Sequence, residues 1–398
     1  MQKTPMALRK HVSIFGKVNA GKSSLFNAII GQKAAIVSEK PGTTTDPVTK
    51  AMELVPFGPI VLVDTAGFGD LSEVGKERME KTQGILNRTD IALYVIDSNS
   101  FDPIQYKDTI VLFKERSIPY IVVFTKMDLL SKAQKNWLQE TYPDAVFTDH
   151  RNDAGISQIK EKIGQELEKI KGEEDSLIGN VVAQNSLVIL VVPIDSGAPK
   201  GRLILPQVQL IRDCLDHGIR CLVTREDELS QTLKEIEKVD LVVTDSQLFK
   251  LVSEVVPEAI PLTSFSMLLA RQKGDIHQFI DGAKMVDQLK DHDRILMAEG
   301  CTHNATHEDI GKVKIPTVMK KYTGKQLHFD FYTGYDFPHN IDEYQMVVHC
   351  GGCMLNKKAV IHRLSICQDK NIPMTNYGVL LAYLNGILPR CSDIFTKR

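Results

Sequence analysis

Short apolar runs alternate with longer amphipathic segments along the first part of the chain. The runs have the length and spacing of buried parallel strands joined by crossover helices, and they are His11–Phe15, Ile60–Val63, Ile91–Ile96 and Ile121–Phe124. A closing helix is predicted because one face would carry Ile156, Ile159, Ile163, Leu167 and Ile170. The charged stretch at residues 171–176 that follows predicts a domain boundary.

The same alternation resumes in two later regions. Apolar runs occur at Leu187–Val192, Ile219–Val223 and Leu241–Thr244, and again at Ile295–Ala298, Leu327–Phe331 and Met346–Val348. We therefore predict an α/β protein of three domains, at residues 1–173, 174–273 and 274–398. No repeat with a period of 20–50 residues is visible. The middle domain has no chemical motif, since the glycine-containing loop at residues 195–202 fits a connecting turn best, and we expect this domain to dimerise.

Composition narrows the class of protein. Hydrophobic residues make up 43% of the chain and charged residues 25%, as in globular proteins. Lys and Arg number 48 against 50 Asp and Glu, so bulk charge favours neither nucleic acid nor an anionic membrane as partner. There is no apolar run of about 20 residues and no apolar signal sequence after Met1, so we expect a cytoplasmic protein.

A phosphate-binding motif follows the first predicted strand. Gly16 and Gly21-Lys22-Ser23 satisfy the G-x-x-x-x-G-K-S pattern between a strand and a helix. Glycines let backbone N–H groups surround the phosphates, Lys22 neutralises the β and γ phosphates, and the Ser23 hydroxyl binds Mg²⁺. The predicted phosphate-contacting residues are Gly16, Asn19, Ala20, Gly21, Lys22, Ser23 and Ser24.

Two further motifs are placed where switch loops belong. In residues 41–46, Thr44 would offer its hydroxyl to Mg²⁺ when a γ-phosphate is present. In the Asp64-Thr65-Ala66-Gly67 motif, Asp64 would hold Mg²⁺ through water and the Gly67 N–H would contact the γ-phosphate. We predict that Lys22, Thr44, Gly67 and Asn19 form the catalytic set.

The motif Thr125-Lys126-Met127-Asp128 predicts guanine recognition. The Asp128 carboxylate can accept two hydrogen bonds from guanine N1–H and N2, which adenine does not offer, so GTP is favoured over ATP. Residues 10–170 resemble the small GTPases of the translation-factor-related class. That family usually has Asn where Thr125 stands, and its last base-contacting loop has no convincing counterpart at residues 147–150.

Asn19 and Phe68 bear on the rate of hydrolysis. Phe68 stands where Ras-like proteins carry a water-orienting Gln, so the usual catalytic side chain is missing. Resemblance to the potassium-activated GTPases implies that Asn19 and switch-loop carbonyls hold K⁺ beside the phosphates. The alternative is that Asn19 only supports the turn of the loop.

Cysteine and histidine residues cluster in the last domain. Cys301-Thr302-His303 and His349-Cys350-Gly351-Gly352-Cys353 each follow a predicted strand, at loops where α/β sheets build sites. The ligand types fit a redox pair, a zinc site with a histidine ligand, or an iron–sulfur cluster. The two glycines favour the cluster, because they let backbone N–H groups approach sulfide.

Taken together, the phosphate-binding loop with Asn19, the middle α/β domain and the cysteine motifs resemble the HydF family of FeFe-hydrogenase maturation GTPases over essentially the whole chain. The resemblance implies a 4Fe-4S cluster on Cys301, Cys350 and Cys353, with His303 and His349 as candidates for the fourth position. It also implies a transient di-iron precursor, made by the radical-SAM maturases HydE and HydG and passed to apo FeFe-hydrogenase, and a homodimer.

Two other functions fit parts of the sequence. One is a GTPase of ribosome assembly or RNA modification with a zinc-binding C-terminal domain, which would need a basic surface. The other is a thiol oxidoreductase built on Cys350 and Cys353, which would need a thiol with a depressed pKa.

Overall fold

The computed structural model describes residues 5–31, 47–65, 82–149, 153–170, 176–194, 201, 203–300, 310–338 and 340–396. The chain forms two compact units, Met1–Gly172 and Glu173–Arg398. The switch residues Thr44 and Gly67, the loop residues 195–200 and 202, and the pair Cys301 and His303 lie outside the described residues. No helix in the described part of the chain is both long enough and apolar enough to cross a bilayer.

The first unit contains one sheet in the order β2-β3-β1-β4-β5-β6. Its strands are β1 Lys10–Phe15, β2 Val48–Leu54, β3 Gly58–Asp64, β4 Ile91–Asp97, β5 Tyr120–Thr125 and β6 Val146–Phe147. Its helices are α1 Lys22–Ile30, α2 Pro103–Glu115, α3 Lys132–Thr141 and α4 Asp153–Ile170. The described strands pair in parallel, except that β2 runs antiparallel to β3.

The central strands of this sheet are buried on both faces, which explains their continuous apolar runs. On one face they pack against α1 and against Ile159, Ile163 and Leu167 of α4, which are all buried as predicted. On the other face, Phe113 of α2 packs against Phe15 with ring centroids 5.6 Å apart. Asp102 accepts hydrogen bonds from the first free N–H groups of α2, and Pro103 begins that helix, as expected for a helix N-terminus.

The second unit contains two four-stranded parallel sheets. Their strands are β7 Leu187–Val191, β8 Arg220–Thr224, β9 Leu241–Thr244, β10 Leu262–Ser264, β11 Arg294–Glu299, β12 His328–Thr333, β13 Met346–His349 and β14 Met374–Asn376. The helices are α5 Leu205–Asp216, α6 Leu229–Glu235, α7 Phe249–Val255, α8 Phe265–Lys273, α9 Ile276–Lys284, α10 Ile315–Thr323, α11 Lys357–Asp369, α12 Tyr377–Leu384 and α13 Leu388–Thr396.

Short helices of other types connect these elements in both units. The 3₁₀ segments are Met6–Leu8, Ser98–Ser100, Met127–Leu129, Ser246–Leu248, Met285–Gln288 and Ile341–Glu343, and Ile310–Lys314 is a π-helix.

The strand pairings and helices of the two units confirm the predicted α/β fold class with parallel sheets. The short strands β10 and β14 were not predicted, because three residues are too few to give a periodic signal.

The two sheets of the second unit share one strand order. The orders β8-β7-β9-β10 and β12-β11-β13-β14 both place the second strand on one side of the first, and the third and fourth on the other. Residues 261–270 and 373–382 also share the pattern Pro-x-Thr-x-aromatic-x-x-Leu-Leu-Ala, which spans the last strand of each sheet and the helix after it. This second unit is built from two similar halves roughly 110 residues apart, a spacing longer than the repeats sought in the sequence.

Helices α8 and α12, which occupy equivalent positions in the two halves, pack against each other. The Ser266 hydroxyl donates to Asn376 Oδ1 at 2.9 Å, and a Cβ atom on Gly378 would lie only 2.8 Å from the Ser266 Cβ. One hydrophobic core extends through both sheets. The predicted boundary at residue 273 falls between α8 and α9, and the division of this unit into two domains stays a prediction.

Candidate nucleotide and cysteine sites

The loop from β1 to α1 has the backbone that phosphate binding requires. Gly16 and Gly21 have φ values of 153° and 92°, and a Cβ atom on Gly16 would lie 2.2 Å from the Val95 carbonyl oxygen. Gly21 precedes the first turn of α1, so the N–H groups of that turn have no partner within the helix. The loop therefore offers backbone donors at a helix N-terminus, where anions are favoured.

Lys22 lies within this loop with its ammonium donating to the Lys17 carbonyl at 2.8 Å. Burial lowers the pKa of Lys22, and nearby Asp64 opposes that shift. Bound phosphates would add negative charge that favours the charged form of Lys22 and so offset its loss of hydration. Ala20 is buried, whereas Ser24 is exposed at the start of α1.

Ser23 and Asp64 meet although 41 residues separate them in sequence. Parallel pairing of β1 with β3 brings the end of β3 beside the loop, and Ser23 Oγ donates to Asp64 Oδ2 at 2.7 Å. Burial raises the pKa of Asp64. Its second oxygen, Oδ1, is buried and has no hydrogen-bond partner among the described residues. A hydroxyl beside a carboxylate with an unused oxygen fits Mg²⁺.

Asn19 adopts a left-handed backbone conformation, with φ of 63°, and its side chain is exposed. Asparagine tolerates this conformation better than most residues, which is in keeping with a role in the turn. Within the described residues, however, no hydrogen bond holds its side-chain amide. The amide is therefore available to a ligand, and both interpretations of Asn19 stay open.

The guanine motif is attached to the phosphate loop through Thr125. The Thr125 hydroxyl lies 2.8 Å from the Ala20 carbonyl and 3.1 Å from that of Ile96, so it ties the end of β5 to the loop. Lys126 pairs with Asp97 at 2.6 Å, and the Asp128 carboxylate is exposed. Sequence reasoning missed Asp97, although its place directly after a predicted strand was a usable signal.

The cysteine motif begins where β13 ends. Parallel strands β11 and β13 are neighbours, with Ala298 opposite His349, so Gly300 and Cys350 leave the sheet at the same edge. The chain passes from β11 to β12 on one side and returns to β13 on the other. The edge between β11 and β13 is thus the topological switch point, where open α/β sheets form their binding crevices.

Backbone N–H groups point at the Cys350 sulfur. The N–H of Gly300 donates to Sγ at 2.9 Å and that of Gly352 at 3.3 Å. Gly352 has φ of 62°, which favours glycine and turns the chain back toward the sulfur. Such donors stabilise a thiolate or a metal-bound sulfur, so these residues fit a metal group ligated by cysteine.

Burial raises the pKa of the Cys350 thiol and raises that of Cys353 to about 11, where proximity to Cys350 adds to the effect. Without a metal, both thiols are therefore protonated near neutral pH. A redox-active cysteine pair needs a thiol with a lowered pKa, so the oxidoreductase hypothesis loses support.

His349 is buried and both of its ring nitrogens are engaged. Nδ1 lies 2.6 Å from the Cys350 carbonyl oxygen and Nε2 lies 3.0 Å from an Arg363 nitrogen. Burial, with Arg363 nearby, lowers its pKa to about 3, so the ring is neutral, donating through Nδ1 and accepting at Nε2. In this arrangement His349 has no lone pair to offer a metal, which does not favour it as the fourth ligand.

Two of the three predicted cysteine ligands, Cys350 and Cys353, are described, and Cys301 is not. Within the described ranges no group of three or more His, Cys, Asp or Glu side chains is placed to hold a metal. Two buried cations support the cysteine loop and were missed from the sequence. Lys273 contacts its carbonyls, and Arg363 contacts His349 and the carbonyls of residues 334 and 336.

Family models match three successive regions of the chain. Residues 11–126 match the model described as 50S ribosome-binding GTPase. Residues 177–274 match the hydrogen maturase F dimerization domain, and residues 277–394 match the hydrogen maturase F tetramerization domain. The first unit is thus a GTPase domain.

Curated relatives match part of the chain. GTPase Der of Kosmotoga olearia is 34% identical over 191 residues, which are 44% of this chain and 43% of that protein. The tRNA modification GTPase MnmE of Mycoplasma mycoides subsp. mycoides is 34% identical over 197 residues, covering 47% of this chain and 43% of the relative. The match spans less than half the length of these relatives.

Solved structures align with this chain at low TM-scores. The G domain of the Thermotoga maritima FeoB iron transporter is 27% identical, with 40% of this chain and 98% of that chain covered and a TM-score of 0.30. Aquifex aeolicus Era bound to GDP·AlF4⁻ is 16% identical, with 84% and 97% covered and a TM-score of 0.33. At these TM-scores, neither carries an argument about this chain.

Proposed function

Since the chain belongs to the hydrogen maturase F family, we propose that it is a GTPase and an iron–sulfur scaffold that delivers a di-iron precursor to apo FeFe-hydrogenase. The observation that carries the scaffold role is the Cys350 sulfur, which lies at the switch point and receives two backbone N–H groups. The di-iron precursor is cargo, so the site must hold it and also release it.

The GTPase step uses the phosphate loop. Lys22 neutralises charge on the β and γ phosphates, while Ser23 and Asp64 hold Mg²⁺ together with Thr44. Gly67 contacts the γ-phosphate, and Asp128 selects guanine with help from Thr125 and Lys126. The direct Ser23–Asp64 contact and the unused Asp64 oxygen support the Mg²⁺ part of this assignment.

A 4Fe-4S cluster is assigned to Cys301, Cys350 and Cys353. When bound, it would supply an electron-accepting, sulfide-rich surface to which the di-iron cargo attaches. His303 is the better candidate for the fourth position, because the ring nitrogens of His349 are already engaged. The role of Gly300 and Gly352 is to donate N–H groups to the Cys350 sulfur.

We extend the proposal to K⁺ at Asn19, which would stabilise the charge that develops on the transferred phosphoryl group. GTP turnover would then bias precursor transfer, provided that GTP binds one conformation more tightly than the other. The dimerization and tetramerization domains support self-association of the protein. HydE, HydG and apo-hydrogenase as partners, and a cytoplasmic location, are parts of the same proposal.

The ribosome-assembly or RNA-modification hypothesis draws its support from the GTPase match at residues 11–126 and from the relatives Der and MnmE. The relatives Der and MnmE match less than half of the chain, whereas residues 177–394 match hydrogen maturase F domains apart from a short gap. A zinc-binding tail would also place zinc, and not iron, on Cys350 and Cys353.

The deciding experiment is anaerobic purification of the full chain followed by iron, sulfide and zinc analysis and EPR of the reduced protein. We expect iron and sulfide with a cluster signal in the wild type. In Cys350→Ala the iron content should fall at least about tenfold, because one of the assigned cysteine ligands is missing. Zinc without iron in the wild type would refute the scaffold role.

Cys367→Ala is the matched control. Cys367 is a buried thiol of α11, and burial raises its pKa to about 12. The iron content of the Cys367→Ala protein should match that of the wild type. If Cys350→Ala also retained the cluster signal, the assignment of Cys350 as a ligand would be wrong.

A further inference from the structure

Helix α8 belongs to the middle half of the second unit, yet its last residue supports the cysteine loop. Lys273 is only 3% exposed, and its ammonium donates to the Gly352 and Leu355 carbonyls, both at 2.7 Å. These two carbonyls flank Cys353. The loop between β13 and α11 is therefore held from a helix that lies more than 70 residues earlier in the chain.

The equivalent helix in the other half has no such contact. Three residues after the end of the shared pattern, Lys273 of α8 corresponds to Asn385, which follows α12. The Asn385 amide donates to the Leu381 carbonyl of its own helix at 2.8 Å. The contact of Lys273 with the cysteine loop thus departs from the symmetry of the two halves. It places a side chain of the first half against the loop of the second half that carries Cys350 and Cys353.

The charge of Lys273 also lacks a conventional partner. In the described part of the chain, no carboxylate lies within ion-pair distance of its ammonium. A buried cation is costly unless negative charge compensates it. Burial lowers the pKa of Lys273 to about 8. The ionisable groups that oppose this shift are the thiols of Cys353 and Cys350, which become thiolates when they bind a metal group.

We propose that Lys273 is a positioning residue of the cysteine site, which holds the loop at residues 350–355 in its ligating conformation and compensates the negative charge of the ligated cluster. This inference rests on the proposed function for its electrostatic part, because only a bound cluster adds that charge. The loop-holding part concerns the protein with or without metal.

The test compares Lys273→Met, which keeps an unbranched side chain one atom shorter and removes the charge, with Lys273→Arg, which keeps the charge. Lys284→Met is the control, because Lys284 is exposed on α9 and pairs with Asp281 of the same helix. Iron content and the cluster midpoint potential are measured on anaerobically purified full chain by EPR-monitored redox titration.

We expect Lys273→Met to disfavour cluster reduction about tenfold, a shift of about 59 mV to more negative potential for one electron. Lys273→Arg should stay nearer the wild-type potential, and Lys284→Met should equal it. A wild-type potential in Lys273→Met with full iron content would overturn the electrostatic role, since a purely structural lysine would affect occupancy alone.

Hydrogen–deuterium exchange on the metal-free chain tests the loop directly. Amides of residues 350–356 should exchange several-fold faster in Lys273→Met than in Lys284→Met, while the GTPase unit is unchanged. Equal exchange would overturn the loop-holding role. If Lys273→Met does not fold, the same two measurements on the shorter and uncharged Lys273→Gln decide. Faster loop exchange and a more negative potential would support the proposal, and wild-type values of both would refute it.

These outcomes distinguish the role of Lys273 from the proposed function of the protein. Zinc without iron in the wild type would defeat the proposed function and the electrostatic role together, but the exchange experiment would still test whether Lys273 holds the loop. A wild-type cluster with an unaltered Lys273→Met protein would defeat the inference and leave the proposed function standing.

Discussion

The nucleotide site and the cysteine site occupy similar positions in their sheets but take their supporting contacts from differently placed parts of the chain. Both lie where neighbouring parallel strands end, at β1 and β3 in the first unit and at β11 and β13 in the second. The nucleotide site takes most of its contacts from one continuous loop at residues 16–23, with Asp64 joining across the sheet. The cysteine loop depends on α8, a helix from the other half of its unit.

This difference determines what a substitution should do. In the nucleotide site as proposed, each side chain would act on the ligand directly, so its loss should appear in hydrolysis and not in stability. In the cysteine site, the loop conformation depends on distant packing, so substitutions that touch no ligand should still reduce metal occupancy. Three predictions follow from this contrast, in order of decreasing effect.

Lys22→Ala should lower the rate of GTP hydrolysis at least about 100-fold, because the ammonium that balances phosphate charge is lost in a water-poor loop. Iron content should not change. Single-turnover hydrolysis and iron analysis on the same preparation measure both. Lys17→Ala is the control, since that lysine points toward Asp102, at 3.8 Å, and should retain hydrolysis within about twofold.

If Lys22→Ala lost iron as well as hydrolysis, the two sites would not be independent in the resting protein, and the contrast between them would fail. If Lys17→Ala were as damaged as Lys22→Ala, the effect would reflect the loss of any positive charge in the loop, and the specific role of Lys22 would be wrong.

Variants of Asn19 distinguish a role as a K⁺ ligand from a role in supporting the turn of the loop. We expect hydrolysis in K⁺ to exceed that in Na⁺ by about tenfold or more in the wild type, because a correctly coordinated cation stabilises transition-state charge. Asn19→Gly keeps the left-handed backbone and removes the amide, so it should abolish the K⁺ advantage. Rates in the two salts, at equal ionic strength, measure this.

Asn19→Ala completes the comparison, because it removes the amide and also strains the backbone at φ of 63°. If Asn19→Gly kept the K⁺ advantage and only Asn19→Ala lowered the rate, then Asn19 would support the turn and hold no cation. Equal wild-type rates in K⁺ and Na⁺ would contradict the cation hypothesis without either variant.

Much of the first unit was predictable because its information is local. The apolar runs identified β1, β3, β4 and β5, and the motifs at Lys22, Asp64 and Asp128 are contiguous patterns that follow those strands. The position of Cys350 directly after a strand was predicted for the same reason. What joins Ser23 to Asp64 is the parallel pairing of strands, which general rules for α/β sheets also give.

The support of the cysteine site was not predictable from one sequence. Lys273 ends an amphipathic helix like many surface lysines do, and only the packing of α8 against the β13–α11 loop buries it. The similarity of the two halves was not predicted either, because it consists of a shared strand order and one ten-residue pattern. The engagement of His349 by Arg363 depends on side-chain geometry that spacing does not encode.

Gly352 provides the smallest predicted effect and the most specific one. Gly352→Ala places a side chain at φ of 62°, with its Cβ 3.4 Å from His349 Cε1, so the loop should lose about 1 kcal/mol of stability. Because the Gly352 N–H donates to Cys350 Sγ, this strain acts on the ligand and iron occupancy should fall by a few-fold. Thermal unfolding and iron analysis provide the two measurements.

Gly324→Ala is the matched control for this prediction. Gly324 has φ of 67° at the end of α10, and a Cβ atom there meets no atom within 4 Å, so the backbone penalty is similar but remote from the cysteines. It should lower stability by about 1 kcal/mol and leave iron occupancy unchanged. Equal loss of iron in both variants would mean that iron occupancy follows global stability. The local conformation of the cysteine loop would then have no separate effect on occupancy.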